Sequence, residues 1–290
     1  MLAFLAEQLA INSSCRGSLL VLQSSGDLRH GCALLLSTLI ALWLGGSPAL
    51  AADDAARDHG TAREAAERPS KMTVRSGHRL RDYYLFVPAS LAPDTPAPLL
   101  LLLHGSYSTP LDMLPQWVDV AQREGIILVA PKSFADYGWR IFDDSPALMR
   151  DVIDDVAARR PIDRRRLYLF GHSGGAVHAL TLAMLESQYF AAVAIHAGAW
   201  RQRESFNAIP AAKRKIPVWI ALGDQDQYFR IADAQATEAA LRAAGFPVTL
   251  RIIRHHDHSY EAVAPEVNRA AWEFLAAARL DETPVFRSYR

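Results

Sequence analysis

A serine flanked by glycines follows an apolar run near the middle of the chain. Residues 171–175 read GHSGG, directly after the apolar residues 167–170 and before a stretch with helical spacing. A G-x-S-x-G pattern between a strand and a helix is typical of a sharp turn that presents the serine hydroxyl as a nucleophile. The backbone N–H groups that follow open a helix and can face an oxyanion. The sequence therefore predicts that Ser173 is a nucleophile.

Two carboxylates follow a second apolar run, residues 218–222. Asp224 and Asp226 lie in the segment GDQDQ, residues 223–227. Either carboxylate could orient a histidine, and the alternative for both is a solvated loop or a helix N-cap. Asp226 is favoured because, in folds of this type, the acid usually stands three residues past the glycine that ends the strand. Asp224 remains the alternative.

Three histidines follow a third apolar run, residues 248–253, in the segment HHDH at 255–258. A metal site is not expected, because consecutive residues rarely present ligands to one ion and no H-x-x-x-H or cysteine partner accompanies them. One of these histidines is instead expected to take the proton of Ser173 as general base and return it to the leaving group. The pattern predicts acyl transfer through a Ser-His-Asp triad, with no cofactor.

The rest of the chain alternates between apolar runs and stretches with helical spacing. Alternation of this kind predicts βαβ units and a mainly parallel sheet. Active groups gather at the carboxyl ends of parallel strands, which is where Ser173 and the candidate acids fall. The predicted strands are 82–87, 98–104, 126–130, 167–170, 191–195, 218–222 and 248–253, and the predicted helices are 148–159, 176–185, 232–244 and 262–277.

Residues that follow the other strands are candidates for binding the substrate. His104-Gly105-Ser106-Tyr107 ends an early apolar run. We expect the N–H groups of Ser106 and Gly174 to form an oxyanion hole, and His104 to be structural. Three further residues are candidates for the substrate pocket, with packing or structural hydrogen bonding as the alternative: Tyr107, Trp139 and His196.

Three segments together carry a family resemblance: LLLLLHG at 99–105, GHSGG at 171–175, and GDQD with HDHSY at 223–226 and 256–260. With these segments the chain resembles the α/β-hydrolase esterases of the group that includes polyhydroxybutyrate depolymerase-like enzymes, feruloyl esterase-like enzymes and S-formylglutathione hydrolases. The segment DHSY is similar to the catalytic-histidine segment of the last type, which implies that His258 is the base. The resemblance spans about residues 80–280 and implies an α/β-hydrolase fold with helices on both faces of the sheet.

The resemblance implies a serine esterase that acts on a small-molecule or oligomeric carboxylic ester. A serine peptidase on the same fold is one alternative, although the chain has no spare length for the propeller or cap that such enzymes often carry. A non-catalytic binding protein on a hydrolase scaffold is the other alternative. All three triad positions are filled, which favours an enzyme.

Composition and charge exclude some classes of partner. The chain has 290 residues, of which 50% are hydrophobic, and its 31 Lys and Arg are balanced by 31 Asp and Glu. This composition is typical of a globular protein. Without a basic or acidic excess, neither nucleic acid nor an anionic membrane surface is the expected partner.

The N-terminal part of the chain has the pattern of a secretory signal peptide. Residues 31–46 are apolar and follow Arg29 and His30, and the A-x-A cleavage signal ALA ends at residue 51. The apolar run is shorter than the roughly 20 residues that cross a bilayer, with an uncleaved anchor as the alternative. We therefore predict a leader over 1–51, a linker over 52–78, a catalytic domain over 79–290 without a membrane span, and export to the periplasm or the exterior.

Overall fold

The seven predicted strands and one further strand form an eight-stranded sheet in the computed structural model, which describes residues 68–285. The strand order is β1-β2-β4-β3-β5-β6-β7-β8. The pairs β1–β2 and β2–β4 are antiparallel and all other pairs are parallel, which confirms the mainly parallel sheet. The strands are β1 (Ser70–Ser76), β2 (Arg79–Phe86), β3 (Ala97–Leu103), β4 (Ile127–Pro131), β5 (Ile162–His172), β6 (Ala192–His196), β7 (Val218–Gly223) and β8 (Val248–Ile253).

Helices pack against both faces of this sheet. The helices are α1 (Pro110–Met113), α2 (Val118–Glu124), α3 (Pro146–Ala157), α4 (Gly174–Leu185), α5 (Ile231–Ala243) and α6 (Ala264–Ala276), with 3₁₀ turns at Leu114–Trp117 and Arg203–Ala211. Buried residues of α3, α4 and α5 belong to one apolar cluster, and those of α1, α2 and α6 belong to another. The four long helices were expected from helical spacing.

The central position of strand β3, between two apolar clusters, explains why its sequence is continuously apolar. Leu99, Leu101 and Leu103 pack into the first cluster, whereas Leu100 and Leu102 pack into the second. Successive side chains of a strand point to opposite faces, and all five leucines are fully buried. A strand covered by helices on both faces therefore has no polar positions.

The prediction of a linker over residues 52–78 is wrong for its described end. Ser70–Ser76 form β1, an edge strand that pairs antiparallel with β2 from Ser70 opposite Leu85 to Ser76 opposite Arg79. The two strands are joined at Gly77, whose φ of 56° lies in the left-handed region that suits glycine. Only Met72 and Val74 of β1 pack against the core, so the sequence of this strand has few apolar residues from which it could be predicted.

The predicted leader over 1–51 and the first part of the predicted linker lie outside the described residues. Within residues 68–285, no helix combines the length and the apolar character needed to cross a membrane.

A buried carboxyl group at the end of α4 makes the stability of the fold depend on pH. Glu186 is 4% exposed, and its Oε1 has no hydrogen-bond partner among the described residues. Burial raises the pKa of Glu186 to about 7, although Arg150 opposes the shift. The folded state therefore holds this proton more tightly than the unfolded chain does. The contribution of protonated Glu186 to the free energy of unfolding is fully present below the ordinary carboxyl pKa. It is lost as the pH rises through about 7.

We therefore expect Glu186→Gln to stabilise the protein in a pH-dependent way. The difference in free energy of unfolding between variant and wild type should grow by about 2–3 kcal/mol from pH 5 to pH 8, in favour of the variant. The reason is that only the wild type must ionise a buried group. Urea unfolding at both pH values measures the change. Glu273→Gln, on the exposed face of α6, is the matched control and should change stability equally at both pH values. A parallel pH response of the two variants would contradict the prediction.

Candidate active site

The turn between β5 and α4 holds Ser173 in an unusual backbone conformation. Its φ of 55° and ψ of −120° are rare for a residue with a side chain. A Cβ on Gly171 would collide with the carbonyl group of Gly175, and a Cβ on Gly175 would collide with the carbonyl group of Leu103. The N–H of Ser173 donates to the carbonyl of His196 at 3.1 Å, which fixes the turn against β6. The glycines therefore permit a turn that lifts the serine out of the sheet.

The loops after β7 and β8 bring an aspartate and a histidine to this serine. His258 Nε2 lies 2.8 Å from Ser173 Oγ, and His258 Nδ1 lies 2.8 Å from Asp226 Oδ2. The other oxygen of Asp226 accepts the N–H groups of Tyr228 and Phe229, both at 2.8 Å. The structure thus places the three residues of the predicted triad in one hydrogen-bonded chain.

The carboxylate of Asp226 is held in its charged form. Its side chain is fully buried, and burial alone would raise its pKa. Hydrogen bonds from His258 and from the N–H groups of Phe229 and Tyr228 outweigh burial and keep the pKa of Asp226 below its ordinary value. An ionised Asp226 can orient His258 and stabilise a positive charge on its ring.

The competing candidates of the two loops lie elsewhere. Asp224 is exposed, and its Oδ1 accepts the N–H of His256 at 3.3 Å, so it ties the loops together. His255 is exposed, and His256 is buried with its ring 5.6 Å from the ring of His196. Among residues 68–285, no three His, Cys, Asp or Glu side chains are grouped as metal ligands.

The two expected oxyanion donors are neighbours. A Cβ on Gly174 would lie 3.3 Å from the backbone nitrogen of Ser106. Gly174 is the first residue of α4, where N–H groups have no acceptor within the helix. The N–H of Ser106 has no acceptor among the described residues. Both groups are therefore available to an oxyanion next to Ser173.

The loop that carries Ser106 rests on a buried aromatic support. Trp139 Nε1 donates to the carbonyl of His104 at 2.7 Å, and its ring stacks on His178 at 5.2 Å. His104 Nε2 accepts the N–H of Ser133 at 3.2 Å. These contacts place His104 and Trp139 behind the loop that carries Ser106, which is the expected oxyanion loop.

A cavity of about 410 Å³ opens beside Ser173 and His258. Its lining comes mainly from three loops, the turn at Ser173 and the short helix α1: Gly105, Ser106, Ser108, Asp112, Met113, His172, Ser173, Gln227, Tyr228, Asp257, His258, Ser259, Tyr260 and Glu261. The three predicted pocket residues are not in this lining. Trp139 is 8% exposed beneath the oxyanion loop, His196 is fully buried under His256 and Tyr260, and Tyr107 is 72% exposed on the loop surface.

Comparison with known proteins identifies the family. The sequence profile of the Esterase family matches residues 78–279, which include Ser173, Asp226 and His258. The chain belongs to the Esterase family. A segment of 108 residues of this protein is also 32% identical to the bifunctional acetylxylan esterase/xylanase XynS20E of Neocallimastix patriciarum. That segment is 35% of the chain, and the match spans 16% of the length of the relative.

Solved structures give the same fold. A thermostable esterase superposes on 73% of the chain with a TM-score of 0.59 and 19% identity, and the chain spans 63% of its length. A ferulic acid esterase superposes on 72% of the chain over 98% of its own length, with a TM-score of 0.58 and 18% identity. The S-formylglutathione hydrolase FrmB of Staphylococcus aureus has the same coverage, with a TM-score of 0.57 and 16% identity. The protein therefore has the α/β-hydrolase fold.

Most residues that line the cavity were not predicted from the sequence. Gln227 and Tyr228 directly follow the acid, and Asp257 and Ser259 flank His258, so adjacency to the predicted triad could have identified them. Other lining residues lie on α1, a helix of four residues that is too short to show helical spacing: Asp112 and Met113.

Proposed function

We propose that this member of the Esterase family hydrolyses carboxylic esters through an acyl-enzyme on Ser173. The observation that carries the proposal is the hydrogen-bonded chain from Ser173 through His258 to Asp226 at the wall of a cavity, with both distances at 2.8 Å. A serine hydroxyl is a weak nucleophile unless a base removes its proton during attack. His258 is in position to do so, while Asp226 keeps its ring oriented.

Each half of the reaction then uses the same groups. Ser173 Oγ attacks the ester carbonyl as His258 takes its proton, and the N–H groups of Ser106 and Gly174 stabilise the negative oxygen. His258 next gives the proton to the alcohol, which leaves, and the acyl group stays on Ser173. A water molecule then attacks the acyl-enzyme as His258 takes its proton, and His258 returns that proton to Ser173 Oγ as the acid leaves.

The names of the relatives favour esters over peptides. One is called an acetylxylan esterase/xylanase, and a structural neighbour is called a ferulic acid esterase. An acylaminoacyl peptidase also superposes, but the chain covers only 43% of it. The proposed substrate is therefore a small-molecule or oligomeric ester.

We further propose that the protein is exported to the periplasm or the exterior. The support is the apolar run at 31–46, followed by the A-x-A signal that ends at residue 51.

Trapping the acyl-enzyme tests the proposal. The folded protein is mixed with p-nitrophenyl acetate, quenched with acid and digested, and we expect an acetyl group on the peptide that contains Ser173. A fluorophosphonate probe should label the same serine once per chain, and heat-denatured protein is the control that should remain unlabelled. Turnover of p-nitrophenyl acetate without turnover of the matching anilide would separate the esterase from a peptidase. A folded protein that acquires neither label at Ser173 would refute the proposal.

A further inference from the structure

Two histidines outside the hydrogen-bonded triad of Ser173, His258 and Asp226 contact each other beside Ser173. His172 precedes Ser173 at the end of β5, and His196 ends the neighbouring strand β6. Their Nδ1 atoms are 3.1 Å apart, and the two rings stack with centroids 5.2 Å apart. At this distance the two nitrogens form a hydrogen bond only if one carries a proton and the other does not.

The surroundings of His196 decide which nitrogen carries that proton. His196 is fully buried, and its Nε2 has no hydrogen-bond partner among the described residues. If His172 were the donor, the proton of His196 would sit on this buried Nε2 with no acceptor. Orphaned buried N–H groups are rare because they keep the full cost of desolvation. His196 Nδ1–H therefore donates to His172 Nδ1, which leaves the proton of His172 on Nε2.

His172 stays neutral in this position. Burial, and then the neighbouring His258, lower the pKa of His172 to about 3. The ring of His172 lies 5.0 Å from the ring of His258, so a charge on it would oppose the imidazolium that forms during attack. His172 does not replace His258 as base, because its free nitrogen is occupied by His196.

The protonated nitrogen of His172 faces the cavity. His172 contributes to the cavity lining, and its Nε2 keeps accessible surface, unlike the sealed Nε2 atoms of His196 and His256. A Cβ on Gly105 would lie 3.3 Å from His172 Cδ2 and 3.8 Å from Nε2. Glycine at this position therefore leaves the edge of the His172 ring open next to the nucleophile.

We propose that His172 is a substrate-binding residue whose Nε2–H donates a hydrogen bond to an oxygen in the alcohol portion of the ester. This inference rests on the proposed function. His258 must return its proton to the departing alcohol, so the alcohol lies on the side of the cavity where His172 and His258 are neighbours. The preferred esters have an alcohol with an ether or hydroxyl oxygen close to the ester bond.

The charge of the cavity limits this alcohol further. Three carboxylates line the cavity, on Asp112, Asp257 and Glu261, and no lysine or arginine accompanies them. An anionic alcohol would be repelled by these groups, which can instead accept hydrogen bonds from hydroxyls. The ligand class is therefore an alcohol rich in oxygen that carries no negative charge.

Two esters of equal length test the hydrogen bond. Butyl acetate and 2-methoxyethyl acetate differ by one CH₂ replaced with an ether oxygen, which can only accept. Each kcat/KM is divided by the rate constant for hydrolysis by hydroxide, which removes the difference in leaving-group reactivity. We expect the wild type to favour the ether ester by about three- to tenfold, the value of one neutral hydrogen bond. A normalised ratio of one would overturn the inference.

Two substitutions separate binding by His172 from a structural role. In His172→Asn, the amide oxygen can still accept from His196 but the side chain is too short to reach the cavity, so the ratio should fall to about one. In His172→Gln, the longer amide can still donate into the cavity, so most of the ratio should remain. The opposite pattern would show that the contact with His196 controls the ratio and would overturn the inference.

The readout is independent of how much of each variant folds, because both esters are measured on the same preparation and the fraction of active enzyme cancels from the ratio. Failure of the proposed function has a different signature: the wild type would then hydrolyse neither ester. Hydrolysis of both esters at equal normalised rates would leave the esterase intact and remove only the role of His172.

Discussion

Replacing Ser173 with alanine is expected to lower kcat for p-nitrophenyl acetate by a factor on the order of 10⁶, the loss that follows removal of a catalytic serine. Without Oγ no acyl-enzyme forms, and only the oxyanion hole and binding remain to assist water. The fold should persist, because alanine needs the same φ of 55° that serine already adopts in the turn. Steady-state kinetics and thermal unfolding by circular dichroism measure the two quantities.

Ser259→Ala is the matched control for this loss. Ser259 lines the same cavity and follows His258 directly, but its hydroxyl is not part of the hydrogen-bonded chain. We expect this variant to lose at most a few-fold in kcat. A Ser173→Ala protein that keeps more than about one hundredth of wild-type kcat would require a different nucleophile.

The central strands and the turn at Ser173 could be predicted because burial leaves a direct trace in sequence. A strand covered on both faces has to be apolar throughout, as Leu99–Leu103 illustrate. The turn has to have glycine at 171 and 175, because backbone atoms occupy the space of a Cβ. Both signals are local, so no knowledge of the rest of the fold is needed to detect them.

The edge strand β1 and the short helix α1 could not be predicted from such signals. β1 pairs on one side only and packs just Met72 and Val74 against the core, so its other residues are free to be polar. α1 has four residues, which is about one turn and shows no repeat of apolar positions. Its position depends on the loop after β3 as a whole.

Trp139 and His196 were expected in the pocket but do not line the cavity, because a strand end does not reveal which way a side chain points. His196 follows an apolar run, as the triad residues do, but it points into a cluster of rings formed with His172, His256 and Tyr260. Trp139 follows β4 in sequence and is drawn under the oxyanion loop by its bond to His104. Both directions depend on contacts with residues far away in sequence.

Replacing Asp226 with asparagine is expected to lower kcat by about 10⁴ at neutral pH, the loss that follows the same change in a Ser-His-Asp triad. Asparagine can keep the hydrogen bonds from Tyr228 and Phe229 through its amide oxygen, so the loop should hold its shape. Its NH₂ group would face His258 Nδ1 and donate to it. The proton of His258 would then move to Nε2, which could no longer accept the proton of Ser173.

Asp224→Asn is the matched control for Asp226→Asn, since the two carboxylates are two residues apart on one loop. Asp224 contacts the backbone of His256 and not the ring of His258, so we expect the variant to lose less than about threefold in kcat. Steady-state kinetics on p-nitrophenyl acetate, with active sites counted by a fluorophosphonate probe, compare the two. If Asp224→Asn lost more activity than Asp226→Asn, Asp224 would be the acid, and the orientation of His258 would have to differ in the working enzyme.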